Sequence, residues 1–227
     1  MSDKLSIIIP VLDEGPILVT FLRELQFLRE RNCELIVADG GSGDGSPGLA
    51  RPLADRVLVG ERGRARQMNA AAAVARGEIL WFLHADSRIP AEPDRSIRQA
   101  LAEGRLWGRF DVRLSGRRPL LRVVETLINW RSCLSGVASG DQGIFVDRAT
   151  FQAVGGYPDI PLMEDVALSL ALRRRGWPAC LKDRLITSSR RWERDGIWRT
   201  IFLMWRLRLA YALGADPSRL ARLYNGG

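Results

Sequence analysis

Three short apolar runs constrain this chain more than any other feature: Leu5–Val11 (LSIIIPV), Glu34–Ala38 (ELIVA) and Ile79–Leu83 (ILWFL). None alternates polar with apolar residues, so each would be buried on both faces, as strands are in a parallel sheet covered by helices on both sides. The segments between them carry a helical period. Ile17, Leu18, Phe21, Leu22, Leu25 and Leu28 share one face of a helix reaching about Arg29, and Ala65–Ala75 is alanine-rich and helical. Arg56–Val59 reads as one further strand. Repeated βα units of this length predict an α/β fold, with a mostly parallel, Rossmann-like central sheet flanked by helices. The second half is less regular. Trp107–Leu114 and Gly143–Val146 read as strands, Leu120–Leu134 as a helix, and Met163–Arg175 as a helix stopped by Gly176 and Pro178. With 227 residues and no linker rich in Pro, Gly or Ser, a single domain is expected.

In an open parallel sheet, ligands bind beyond the carboxyl ends of the strands. Acidic residues stand at three such ends: Asp13-Glu14 after the first strand, Asp39 after the second and Asp86 after the fourth. Any one of them could simply cap a helix. Three together are expected to surround one crevice, where ligand hydroxyls, base N–H groups or a cation would satisfy them. Diphosphate oxygens are hard ligands that Mg2+ or Mn2+ bridges to one or two carboxylates, and Asp86 suits that role. His84, the only histidine, is either a second metal ligand, a donor to phosphate or structural. Further on, Met163-Glu164-Asp165 opens a helix. The dipole favours acids there in any case, yet a carboxylate so placed can also act as a general base.

Thirty-four basic residues against 26 acidic ones give a formal net charge of +8, and only Lys4 and Lys182 are lysines. Arginine's planar fork suits phosphate and carboxylate, so charge alone does not choose among nucleotides, lipid phosphates and nucleic acid. Cys33, Cys133 and Cys180 are widely spaced and odd in number, which argues against a zinc knot and against a secreted disulfide framework. No signal-peptide pattern stands at the N-terminus, so the expected setting is the cytoplasm. Ile197–Leu213 is too short and too rich in arginine to span a bilayer. It reads either as a docked core helix or as a helix lying on anionic lipid at the inner membrane surface, with Trp198 and Trp205 helping. Its apolar face and that of Leu120–Leu134 are either core or a homodimer surface.

The motifs follow an order that resembles the family-2 glycosyltransferases. Ser6–Glu14 is similar to their opening strand, Ile36–Gly45 to their second-strand loop, and Gly63–Ala72 to the segment around their nucleotide-facing asparagine. Leu83-His84-Ala85-Asp86 stands where the family has its metal-binding motif. Gly140–Arg148, Gly155-Gly156-Tyr157 and Glu164-Asp165 stand where it has its acceptor-side motifs and catalytic base. The resemblance implies a GT-A fold and an inverting, metal-dependent transfer from a nucleotide sugar to a hydroxyl acceptor. The halves would be a nucleotide-sugar side over about 1–115, an acceptor side over about 116–190, and a C-terminal helix and tail over about 191–227. Pro10, Leu12 and Glu14 would line the nucleoside, and Asp39 would accept from the base, which favours a UDP-sugar. Arg64, Gln67 and Asn69 would face the nucleotide, Asp86 and His84 would take the metal, and Asp165 beside Glu164 would deprotonate the acceptor. The short chain and its HADS motif are also similar to a small bacterial subgroup associated with radical-SAM/selenodomain proteins. Two departures stand out. The family commonly has an acid at His84's position. Its processive members have Gln-x-x-Arg-Trp and spanning helices, where this chain has only Ser188–Trp192 (SSRRW), whose Arg190, Arg191 and Trp192 are expected to close over the diphosphate.

Other readings explain less. Gly43–Gly48 fits the G-x-G-x-x-G pattern of dinucleotide sites, but Asp44 sits where pyrophosphate would approach and Pro47 lacks an N–H. A nucleotidyltransferase would need a basic loop where Asp13-Glu14 stands. A non-enzymatic protein binding anionic membrane or nucleic acid accounts for the charge but leaves the acidic crevice unexplained, so no nucleic acid is expected.

Overall fold

Four strands, β1 (Leu5–Val11), β2 (Cys33–Asp39), β3 (Arg56–Val59) and β4 (Ile79–Phe82), form the parallel half of a seven-stranded sheet of order β3-β2-β1-β4-β6-β5-β7. This is a computed structural model, and it describes residues 3–226 except the side chains of Arg191 and Asn225. Every residue of β2 and β4 is buried, in keeping with their unbroken apolar runs. Helices α1 (Gly15–Glu24) and α2 (Gln26–Arg29) cover one face of the sheet, where Leu18, Leu22, Leu25 and Leu28 pack on Ile7, Ile9 and Leu35. The single helix expected there is broken at Leu25. After the five-residue helix α3 (Ser46–Ala50), α4 (Arg64–Val74) lays Ala65, Met68, Ala71 and Ala72 on the opposite face, against Ile8 and Ile36. The sheet is therefore covered on both sides, as its composition requires.

The second half adds α5 (Pro93–Ala102), β5 (Trp107–Leu114), α6 (Pro119–Ser135), β6 (Phe145–Asp147), α7 (Arg148–Ala153), α8 (Glu164–Arg173) and β7 (Ala179–Thr187). Strand β6 runs antiparallel between β4 and β5, and β7 pairs in parallel with β5. The chain ends in α9 (Arg190–Asp195), α10 (Ile197–Ala212) and α11 (Pro217–Asn225). Sequence periodicity does not reveal β7, because Lys182, Asp183 and Arg184 interrupt it and lie exposed at the sheet edge. Among the described residues no helix is long and apolar enough to cross a membrane.

The cysteine expectation needs correction. Cys133, near the end of α6, is disulfide-bonded to Cys180 at the start of β7, while Cys33 is free and buried. Sequence spacing could not reveal the pair, because it forms only when β7 packs beside β5 and brings its first residues under the end of α6. The cysteines therefore no longer argue for a reducing compartment. The bond closes a loop of 47 residues. Loss of that closure in Cys133→Ser should lower stability by about 2–4 kcal/mol. Urea midpoints of wild type and variant, with and without reductant, test this: reductant should bring wild type to the variant's value and leave the variant unchanged.

Candidate active site

The connection from β3 to β4 crosses back over β1, so the strand order reverses between β1 and β4. That is where an open sheet leaves a crevice. The last residues of these strands lead into Glu14 and into the turn His84–Ser87, closed by Ser87 N–H donating to the His84 carbonyl (3.2 Å). Glu14 and Asp86 come near enough at these strand ends for their charges to interact. Burial pushes the Glu14 carboxyl up, and the charge of Asp86 adds to it, while Arg190 and Arg64 oppose the rise. A cavity of about 950 Å3 begins at Asp86 and runs between α1 and the ends of β5 and β7. Arg88, Arg113, Arg117, Arg122 and Arg190 line it.

The other acidic strand ends behave differently from expectation. Asp39 is buried, and its carboxylate accepts from the backbone N–H groups of Gly41 (2.9 Å) and Ser42 (2.8 Å) and from the Ser42 hydroxyl. Asp13, at φ 54°, accepts from Gly43 N–H, and Asp44 accepts from Gly15 N–H at the head of α1. These carboxylates lace the β1 and β2 loops together through backbone donors. Of the three acidic ends, only Glu14 and Asp86 turn to the crevice. Within Gly43–Gly48 the N–H groups of Gly43 and Ser46 are taken by Asp13 and Asp44, where a dinucleotide fingerprint would need free donors.

Gln67 and Asn69 also serve the frame. The buried Gln67 amide donates to Val11 O and Ala38 O, both at 2.8 Å, and so ties the ends of β1 and β2. Asn69 donates to Tyr157 O (2.7 Å) and accepts from Tyr157 N–H (3.0 Å), anchoring Gly156, whose φ is 71°. Tyr157 in turn stacks edge-on to Phe82. Pro10 and Leu12 are half-buried at the end of β1. Arg64 is exposed at the first turn of α4, 3.8 Å from Glu164.

The segment around Gly140 and the start of α8 pack against the His84 turn. Asp165, in the first turn of α8, accepts from Gly140 N–H at 2.7 Å. A Cβ added to Gly140 would lie 3.1 Å from His84 Nε2 and 3.7 Å from Asp165 Oδ2, so His84 and Asp165 flank one glycine. Met163, which precedes α8, sits in the left-handed region at φ 70°, a strain of the kind stored at functional turns. Burial, then the charge of Asp165, raises Glu164, and Arg64 opposes the rise. His84 is pushed down to about 3 by burial, with Arg64 adding to the effect. It is therefore a neutral imidazole at pH 7, the form able to ligate a metal.

Sequence reasoning missed strand β7 but did expect Arg190 near the diphosphate. Ile186 pairs with Arg88, which brings Ser188 and Arg190 to the cavity rim beside Asp86. Trp192 was expected over the diphosphate, but it packs with Leu114 and Leu121 beneath α6. The Arg191 side chain lies outside the described residues.

The model of the family described as glycosyl transferase family 2 matches residues 6–133. The chain belongs to this family. No curated protein matches it. A mannosyltransferase from Pyrobaculum calidifontis, solved with GDP-Man and Mn2+, shares 20% identity and a TM-score of 0.69, over 97% of this chain and 69% of that one. S. aureus TarS with UDP-GlcNAc gives 17% and 0.63, over 82% and 58%. Glucosyl-3-phosphoglycerate synthase from Mycobacterium tuberculosis, solved with Mn2+ and UDP, gives 19% and 0.61, over 82% and 70%. The TarS chain in that comparison is residues 1–349, and this chain covers only 35% of the longer TarS structure. The shared fold is the GT-A arrangement, as the motif order implied. Within this family-2 domain the matched segment ends in α6, so Gly140, Asp165 and Arg190 lie beyond it.

Two outcomes are expected. Asn69→Ala removes two hydrogen bonds to a buried turn and should cost about 2 kcal/mol, read by thermal melting. A loss of nucleotide binding at unchanged stability would instead make Asn69 a nucleotide contact. His84 has a folded pKa below its unfolded value, so the unfolded chain takes up the proton first as pH falls. Its contribution to stability should therefore decline from about pH 6.5 towards pH 3, and the stability difference between wild type and His84→Gln should shrink over that range.

Proposed function

We propose that the chain transfers a sugar from a nucleoside diphosphate donor to an acceptor hydroxyl by a single inverting displacement. One observation carries this reading: Asp165, from the second half, lies against Gly140 and beside His84 at the β4 end, so that a carboxylate and the Asp86 turn share one crevice. Pro10, Leu12 and Glu14 would line the nucleoside, and Arg64 and Arg190 would meet the diphosphate. The acceptor oxygen would attack the anomeric carbon while Asp165 takes its proton, and the nucleoside diphosphate would leave from the opposite face. The hydrogen bond from Gly140 holds Asp165 Oδ2 in place for that transfer. Glu164 acts as a positioning residue through Arg64.

The residues fit a divalent ion only in company with the donor. Among the described residues no three His, Cys, Asp or Glu side chains come together as a metal site. Asp86, with neutral His84 and Glu14 near it, offers one or two protein ligands, the number Mg2+ or Mn2+ takes when phosphate oxygens supply the rest. When bound, the ion would neutralise charge developing on the departing diphosphate. The uracil preference rested on Asp39 meeting the base. Since that carboxylate is buried in its own loop, UDP and GDP are tested side by side.

A nucleotide present at 100 times its Kd should raise stability by about 2.7 kcal/mol. Melting temperatures with UDP, GDP and NAD, each with Mn2+ or with chelator, should show metal-dependent stabilisation by UDP that Asp86→Ala abolishes. Stabilisation by GDP alone would move the donor to a guanine nucleotide, and silence from both would remove the reading. Asp165→Asn should keep nucleotide binding while lowering the transfer rate by about 100-fold or more; full activity in that variant would dismiss Asp165 as the base.

A further inference from the structure

Helices α6 and α10 each bury one side and leave an apolar stripe on the other. On α6 the stripe is Val123, Leu127, Trp130 and Leu134. On and just past α10 it is Trp198, Phe202, Trp205, Leu209 and Leu213. The spacings of three and four residues put each set on one helical face. These nine side chains are 49–79% exposed. The two helices are neighbours that run the same way. At their starts, Leu121 and Val124 of α6 share a cluster with Ile197 and Ile201 of α10. At the far end, Val137, just past α6, packs in one cluster with Leu203, Met204 and Leu207 of α10. Neighbouring helices with buried inner sides turn both stripes outward, on the same side of the molecule. A monomer seldom exposes so much apolar surface without a use for it.

Charge selects the occupant. Residues 197–213 contain no carboxylate, and the only one in 117–135, Glu125, is buried and accepts from Leu114 N–H. Arginines border the face: exposed Arg199 and Arg206 flank the α10 stripe, and exposed Arg117 and Arg118 stand at the head of α6. Two copies placed face to face would bring like charges together with no acid on these helices to neutralise them. A bilayer offers hydrocarbon for the stripes, phosphate for the guanidinium groups, and an interfacial layer that suits indole rings. We propose that the joint face of α6 and α10 docks in the interface of a bilayer containing anionic phospholipid, with both helices lying in its plane. This inference stands independently of the transfer reaction. It goes beyond a C-terminal anchor, because α6, a helix inside the catalytic domain, supplies nearly half of the face. The cavity wall at Gly116, Arg117 and Arg122 adjoins the head of α6, so docking would set the mouth of the cavity near the lipid headgroups.

Flotation or sedimentation of the full chain with phosphatidylcholine vesicles, with and without phosphatidylglycerol, tests it. Binding should require phosphatidylglycerol and weaken with salt. Arg199→Gln with Arg206→Gln should weaken it by about 30-fold at low salt. Trp198→Ser, Phe202→Ser and Trp205→Ser together should weaken it by about tenfold or more at an unchanged melting temperature. In wild type, brominated lipid should quench tryptophan fluorescence, a readout that does not depend on the variants folding. Absence of binding to anionic vesicles, unquenched fluorescence on bound vesicles, or a lipid-free dimer that the triple substitution makes monomeric would each overturn the proposal.

Discussion

Strands β1, β2 and β4 are buried on both faces, so almost none of their length can carry exposed polar groups. Polar chemistry is pushed to the loops where the strands end, and the reversal of strand order decides which of those loops meet. Because the chain turns back across β1 to make β4, the ends of these two strands open onto one crevice, and Glu14 comes near enough to Asp86 for their charges to interact. The end of β2 lies one strand further out. Its Asp39 satisfies backbone N–H groups instead, while Asp13 and Asp44 tie the loops after β1 and β2 together.

The second half completes the site through backbone as much as through side chains. Asp165 reaches the crevice because α8 begins at a left-handed residue, Met163, and because Gly140 has no side chain to keep His84 and Asp165 apart. Asn69 holds the Gly156-Tyr157 turn from the opposite half by a reciprocal pair of bonds. An aromatic cluster of Phe82, Phe151 and Tyr157 backs this seam. The two halves meet along packed side chains and bonded turns, which fits a single domain whose halves keep a fixed geometry.

The C-terminal helices join that frame to a surface. The buried side of α10 packs on Met163 and Val166, next to the residue proposed as base, while its outer side carries the exposed aromatic stripe. One helix thus backs the turn of the proposed base and fronts the proposed bilayer face. The arginine excess divides the same way, between guanidinium groups at the cavity and guanidinium groups bordering the apolar face.

Strands with unbroken apolar runs, helices with a clear period, and acids at strand ends could be read from the residues alone, because burial on both faces leaves a local mark in composition. The ordered motifs carried the family and the GT-A fold as well. Strand β7 left no such mark, since an edge strand tolerates Lys182, Asp183 and Arg184 on its exposed side. With it was hidden the Cys133–Cys180 bond. Nor could residue type separate Glu14 from Asp39, or tell that Gln67 and Asn69 bond to backbone. A carboxylate or amide has the same donors and acceptors wherever it stands, and only the packed fold fixes whether a backbone N–H or an open crevice lies opposite it. The joint apolar face is of the same kind: each stripe is written in its own helix, but the packing that turns both outward on the same side exists only in the tertiary structure.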